Sequence, residues 1–218
     1  MRHPRIDAII FDLDGTVVDS EELGLEVIHR HALALGVRLP PGQEIATFRG
    51  RSMASCLALL AENLGRPLPE DFEATVRSAM AEVFRARLQP MPGAQDLLRA
   101  LKVPFCIATN GPRSKAELTL GLTGLLPFFR DKLFCAYDHG VFKPDPGLFL
   151  AAAASMSVLP ACCAVVEDSL PGLHAGVAAG MQVFALRPTQ PIPEALREQV
   201  TLLGGLQELQ DLLPEGCC

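Results

Sequence analysis

Two carboxylates two residues apart, followed at once by a glycine and a threonine, are the first residues able to do chemistry: Asp12-Leu13-Asp14-Gly15-Thr16. They close the first apolar run, residues 6–11. Two acids held that close repel each other unless a cation or a shared proton intervenes. Gly15 lets the chain turn sharply behind them, and the same residues also suit an Asx-type turn leaving a strand. Three further clusters follow similar runs. Thr109-Asn110-Gly111-Pro112 offers a hydroxyl, an amide and backbone N–H groups to an anion at a strand-to-helix turn, and is equally an ordinary turn. Phe142-Lys143-Pro144-Asp145-Pro146 carries a lysine between two prolines that pin its backbone; otherwise it is a solvated loop lysine. Glu167-Asp168-Ser169 follows Val165-Val166 and is either a cation-binding acid pair or a helix cap with Ser169 as N-cap.

The elements that must position these clusters are legible in the spacing of apolar residues. Residues 6–11, 104–109, 133–136, 164–167 and 182–186 are short and nearly all apolar, as strands buried on both faces are. Between them lie helical patterns over 93–102, 112–122, 146–156 and 170–179, several opening with proline or a polar cap. This alternation predicts an α/β fold, a doubly wound parallel sheet covered by helices. From residue 20 to 88 no strand is found, only helical patterns over 21–35, 43–48, 52–64 and 70–87. An inserted all-helical cap over 19–88 is therefore expected, with hinges near 16–19 and 89–93, and a catalytic core made of 1–18 and 89–218.

On that fold all four clusters fall at the carboxyl ends of parallel strands, where open α/β sheets bind ligands. Carboxylates without histidine or cysteine among them favour a hard cation, Mg²⁺ above all. A metal among acids, with a lysine and a hydroxyl-lined anion cradle opposite, is machinery for phosphoryl transfer.

Composition narrows the partners. Of 218 residues 49% are hydrophobic, enough for a packed core and too many for a disordered chain. The balance of 19 basic and 25 acidic side chains, a net charge of −6, argues against a nucleic-acid partner. The first 20 residues carry Asp7, Asp12, Asp14 and Asp19 and lack the apolar centre of a signal peptide. The most apolar later stretch, 148–159, is too short to span a bilayer, so no membrane association is expected. Seven cysteines without a repeated C-x-x-C read as reduced thiols of a cytoplasmic protein, with Cys106 and Cys135 inside apolar runs. Cys162-Cys163 lacks zinc-finger spacing, and Cys217-Cys218 carries no readable role. No obligate protein partner is evident.

The motifs Asp12-Leu13-Asp14-Gly15-Thr16, Thr109-Asn110, Lys143 and Glu167-Asp168 resemble, in order and spacing, the four motifs of the haloacid dehalogenase superfamily. The resemblance covers essentially the whole chain, the helical cap included. Within the superfamily the chain is similar to the β-phosphoglucomutase-like phosphatases. The segments TNGPRSK at 109–115, DKLF at 131–134, Tyr137-Asp138 and KPDP at 143–146 resemble the bacterial 6-phosphogluconate phosphatase branch.

The resemblance implies a Mg²⁺-dependent phosphatase, a phosphoric monoester hydrolase working through an aspartyl-phosphate. Asp12 would be the nucleophile and Asp14 the general acid and base. Lys143 would offset negative charge, and Thr109, Asn110 and Gly111 would hold the phosphoryl oxygens. Asp12, the Asp14 carbonyl and Asp168, supported by Glu167, would ligate the metal. An acid at Asp14 distinguishes ester hydrolysis or transfer to an alcohol from the superfamily's dehalogenases and ion pumps. In the sugar-phosphate mutases a hinge histidine lies five residues beyond the acid matching Asp19; here that residue is Gly24, which favours a phosphatase.

Arg49 and Arg51, flanking Gly50, and Arg113 and Lys115 after the cradle would suit a second anionic group on the substrate, such as the carboxylate of 6-phosphogluconate. Other sugar phosphates and nucleoside monophosphates are the alternatives of the same type. A mutase, or a non-catalytic sensor of a phosphorylated metabolite, is the alternative of another.

Overall fold

A computed structural model describes residues 5–39, 42 and 45–213. Six parallel strands form one sheet: β1 (Ala8–Phe11), β2 (Phe105–Thr109), β3 (Leu133–Cys135), β4 (Cys163–Glu167), β5 (Gln182–Leu186) and β6 (Val200–Leu203), in the order β3-β2-β1-β4-β5-β6. The order reverses at β1, which pairs with β2 on one side and β4 on the other; a crevice opens at such a switch point. Strand alternation sends Ile9, Phe11, Ile107, Val166 and Phe184 into one hydrophobic layer. Their neighbours Ile10, Cys106, Val165 and Val183 enter the other. Both layers are buried, which is why these strands read as unbroken apolar runs.

Three helices lie between β1 and the return to the sheet: α1 (Glu21–Ala34), α2 (Met53–Leu64) and α3 (Phe72–Arg87). Then come α4 (Ala94–Ala100), α5 (Arg113–Leu122), α6 (Leu126–Phe129), α7 (Ala136–His139), α8 (Gly147–Ser155), α9 (Leu170–Ala178), α10 (Glu194–Arg197) and α11 (Leu206–Leu212). Positions 43 and 44 of the expected 43–48 helix, like Cys217 and Cys218, lie outside the described residues. Residues 45–50 form successive turns, with Phe48 donating to Ile45 and Arg49 to Ala46.

The two chain passages joining α1–α3 to the sheet run side by side: the Asp19 N–H donates to the Gln89 carbonyl at 3.0 Å and the Met91 N–H to that of Val17 at 2.9 Å. Hydrophobic packing is continuous across them, because Phe48, Leu60, Val76 and Phe84 of the insertion join the same buried cluster as Phe11 and Ile107.

Candidate active site

The pairing of β1 with β4 runs one residue past the strand, the Asp12 N–H donating to the Val166 carbonyl at 2.9 Å. This sets the Asp12 carboxylate beside the end of β4. Lys143, on the loop between α7 and α8, reaches in from the other side of β1. Its Nζ donates to Asp12 Oδ1 at 2.5 Å and to Glu167 Oε1 at 2.6 Å, and lies 4.9 Å from the centre of the Phe149 ring. The second oxygen of Glu167 accepts from the Ser169 N–H and hydroxyl, both at 2.8 Å. Ser169 also caps α9 by accepting from the Gly172 N–H. Gly172 has to be a glycine here: a Cβ would lie 1.8 Å from Glu167 Oε1.

Asp12, Glu167 and Asp168 bring one carboxylate oxygen each within 4.8 Å of one another, all three residues buried. One ammonium faces three acids, and the imbalance shows in their proton affinities. Burial, opposed by Lys143 and reinforced by Glu167, pushes Asp12 up to about 7. Burial beside Glu167 and Asp12 pushes Asp168 well above the usual carboxylate range. Burial opposes the charge of Lys143, but Asp12 and Glu167 outweigh it and raise its pKa, so the lysine stays protonated.

This donor set fits a small hard cation. It is all oxygen and carries excess negative charge. Gly15, at φ +81°, leaves open the space against Asp168, where a Cβ would come 2.3 Å from Oδ2.

Asp14 occupies the turn beyond Asp12, where the Leu13 carbonyl accepts from the N–H groups of Val17 and Val18. Its Oδ1 accepts from the Ser20 hydroxyl at 2.5 Å and its Oδ2 from Lys115 Nζ at 2.8 Å. Burial raises its pKa, but Lys115 and then the Ser20 hydroxyl overcome that, leaving it below the ordinary value. Gly111 lies at the meeting point of Thr109, Asp14 and Lys115: a Cβ there would stand 3.3 Å from Thr109 Oγ1, 3.7 Å from Asp14 Oδ2 and 3.8 Å from Lys115 Cδ.

A buried carboxylate at a strand end, a buried lysine bridge and an acid cluster at one switch point coincide with a family match. The model of the haloacid dehalogenase-like hydrolases matches residues 6–180. The chain belongs to that family. It is 33% identical over 209 residues to the 6-phosphogluconate phosphatase of Escherichia coli K12, covering 95% of each chain. It is 28% identical over 214 residues to the hexitol phosphatase A of the same organism, covering 94% of each. A solved haloacid dehalogenase family hydrolase from Deinococcus radiodurans, with bound phosphate and sodium, superposes with a TM-score of 0.76 at 30% identity, covering 96% of each chain. This haloacid dehalogenase-like chain is a phosphoric monoester hydrolase.

Within the hydrolase the site residues named from the sequence divide into groups. Asp12, Lys143, Glu167 and Asp168 meet directly, while Asp14, Thr109 and Gly111 form a second group beside them. Asn110 does something the sequence did not suggest. Its Oδ1 accepts from the Lys143 N–H at 2.9 Å and its Nδ2 donates to the Lys143 carbonyl at 3.2 Å, so its side chain fixes the lysine loop. Thr109 Oγ1 accepts from the Gly111 N–H at 3.0 Å, which leaves the hydroxyl proton to donate.

The arginines point elsewhere. Arg113 bonds Asp138 at 2.8 Å and the Leu133 carbonyl at 3.0 Å, because residues two apart on a helix face different sides and Lys115 takes the side of Asp14. Arg49 pairs with Glu22 and, at 3.6 Å, with Glu21, and Arg51 donates to the Thr47 carbonyl at 2.9 Å. Ser20 was not foreseen: its partner is defined only once the chain doubles back over residues 13–18, and its hydroxyl serves Asp14 instead of capping α1.

Proposed function

We propose that the chain is a Mg²⁺-dependent phosphatase of small sugar phosphates, with 6-phosphogluconate as its leading substrate, acting through an aspartyl-phosphate on Asp12. The observation that carries the reading is the Asp12–Lys143–Glu167 bridge beside Asp168 at the switch point of the sheet. Asp12, Asp168 and the carbonyl of Asp14 would hold the cation, with Glu167 in support. Bound there, Mg²⁺ supplies charge neutralisation for the acids and for the phosphoryl group.

The chain's own residues do the rest. A carboxylate oxygen of Asp12 attacks phosphorus, the ester P–O bond breaks, and Asp14, which takes up a proton from solvent once substrate displaces one of its present partners, gives that proton to the departing alcohol. Asp14 then takes a proton from water as it attacks the phosphoaspartate, and the Asp12–phosphorus bond breaks to release phosphate. Lys143 stays protonated throughout and balances the charge on Asp12. Thr109 directs its free hydroxyl proton at a phosphoryl oxygen. We take α1–α3, residues 19–88, as a cap domain that moves on the paired passages at 17–19 and 89–91 and excludes water during the reaction. Arg49 and Arg51, on its 45–51 turns, reach substrate by exchanging their present partners.

Hydrolysis is favoured over phosphoryl transfer between sugars because Gly24 stands where the resemblance assigns a histidine to mutases. A Cβ there would make only an ordinary contact, 3.6 Å from the Met80 methyl, so it is the missing imidazole and not crowding that carries this. The 33% identity to a 6-phosphogluconate phosphatase supports the substrate. Phosphate release from 6-phosphogluconate, hexose phosphates and nucleoside monophosphates, with Mg²⁺ or EDTA, tests the reading against Asp12→Asn. Metal-dependent release, absent in the variant and fastest with 6-phosphogluconate, is expected. Equal release from all esters would remove the substrate assignment, and release by Asp12→Asn would remove the nucleophile.

A further inference from the structure

Both oxygens of Asp14 are taken, one by Ser20 and one by Lys115. To reach the oxygen of a leaving alcohol, Asp14 must give up one of them. Ser20 is 2% exposed and fixed at the start of α1, whereas the Lys115 and Asp14 side chains are 28% and 26% exposed. Lys115 also has a flexible four-carbon stem, so it is the partner that yields. Its Nζ rests 5.9 Å from the Phe84 ring of α3, between the insertion and the sheet. The leaving portion of any substrate begins at Asp14, so it extends past this ammonium. The first turn of α5 carries Arg113 and Lys115 and no acid, where a helix ordinarily favours acids. Arg113 is held by Asp138, which leaves Lys115 as the cation of that turn facing the site.

We infer that Lys115 determines specificity by exchange: its ammonium leaves Asp14 for an anionic group on the leaving portion of the substrate, and this frees Asp14 Oδ2 for the leaving oxygen. This rests on the phosphatase reading above and adds a selection rule to it. A substrate ending in a carboxylate supplies the anion, and the matching alcohol does not.

The decisive pair is 6-phosphogluconate and glucitol 6-phosphate, the same phosphorylated six-carbon chain ending in a carboxylate or in CH2OH. Steady-state kcat and KM are measured on both for the wild type, Lys115→Met and Lys115→Arg, with Mg²⁺ present. The wild type is expected to favour the acid, and Lys115→Met to lower the acid-to-alcohol ratio of kcat/KM at least about tenfold, the scale of a lost charge-assisted hydrogen bond. Lys115→Arg, which keeps the charge, should recover part of the ratio. A parallel fall on both substrates, or no fall on either, leaves the ratio intact and overturns the exchange while the phosphatase reading stands. A wild type that hydrolyses both without preferring the acid overturns the exchange and the substrate assignment. Hydrolysis of neither ester overturns both readings.

Discussion

Lys143 Nζ bridges Asp12 and Glu167 at 2.5 and 2.6 Å, tying the end of β1 to the end of β4 through one ammonium that is almost wholly buried. Breaking a buried pair by removing one partner leaves uncompensated charge and costs about 3–5 kcal/mol. Lys143→Met is therefore expected to lower unfolding stability in urea by about that much, and to cut kcat by at least about 10²–10³-fold, as losing a buried charge-stabilising donor does. Adding Asp12→Asn to Lys143→Met removes one orphaned charge and should restore part of the stability while abolishing the remaining activity. A double variant no more stable than the single one would show that the bridge is not what the lysine contributes.

Gly172 tests how tightly Glu167 is confined. Because a Cβ would overlap Glu167 Oε1, alanine must displace the carboxylate from both Lys143 and Ser169. Overpacking of this kind costs about 1–3 kcal/mol. Gly172→Ala should lower the melting temperature and reduce kcat together, and a variant with unchanged stability would mean that Glu167 has another place to go.

The raised proton affinities of Asp12 and Asp168 give a signed dependence on pH. Asp12 titrates near 7 in the folded chain against about 3.9 when free, so between those values the folded state binds more protons than the unfolded one. Without metal, stability should fall as pH rises from about 4 to about 7, by the share these acids contribute. A divalent cation takes the place of the protons, and its binding is favoured as they leave. The rise in melting temperature on adding Mg²⁺ should thus be larger at pH 8 than at pH 5. An equal rise at both would mean that the cation binds away from Asp12 and Asp168.

Burial also separates the thiols. Cys56, Cys135 and Cys163 are pushed up to about 11 by burial, and Cys106 is pushed up further, whereas Cys162 is partly exposed. Thiolate is the reacting form. Alkylation of the folded chain at pH 8, mapped by mass spectrometry, should mark Cys162 among the described cysteines well before the other four. Early labelling of Cys56 would reveal opening of α2.

The legible parts of this molecule were those written in local pattern. β1, β2, β4 and β5 were visible because both faces of each are covered, so nearly every residue is apolar and a chemical motif stands out where the run stops. β6 was not visible: Thr201 and Leu202 face outward on the edge of the sheet and the run lacks the unbroken apolar signature. The four-residue helices α7 and α10 are too short for a helical period to show. In the site, Asp12, Glu167 and Asp168 follow from strand ends alone, whereas Lys143 was legible from its proline-flanked loop and lies beyond α7 and not at the end of β3. The partners of Asp14 do not. Ser20 reaches it through a doubled-back turn, and Lys115, not Arg113, reaches it because of the rotational phase of α5.

The same dependence on tertiary placement singles out Gln190, on the loop after β5, which carries no motif. Its Nε2 donates to the Arg49 carbonyl at 3.0 Å, and Gly50, at φ +68°, would place a Cβ 2.4 Å from that nitrogen. Next to Arg49 and Arg51 the helical insertion is thus tied to the sheet side by a side-chain hydrogen bond, as it is elsewhere by Arg77 donating to the Tyr137 hydroxyl at 3.2 Å. If residues 19–88 close over substrate, this bond favours the arrangement seen here by about 1 kcal/mol, the net worth of an ordinary hydrogen bond. Gln190→Ala should then raise KM by a few-fold and change kcat less, because the loss falls on binding rather than on the groups around phosphorus. Gly50→Ala, strained by its backbone as well as by contact with Gln190, should raise KM further. Should both variants lower kcat with KM unchanged, the loop would be acting on the chemical step, and its role as a latch would be refuted.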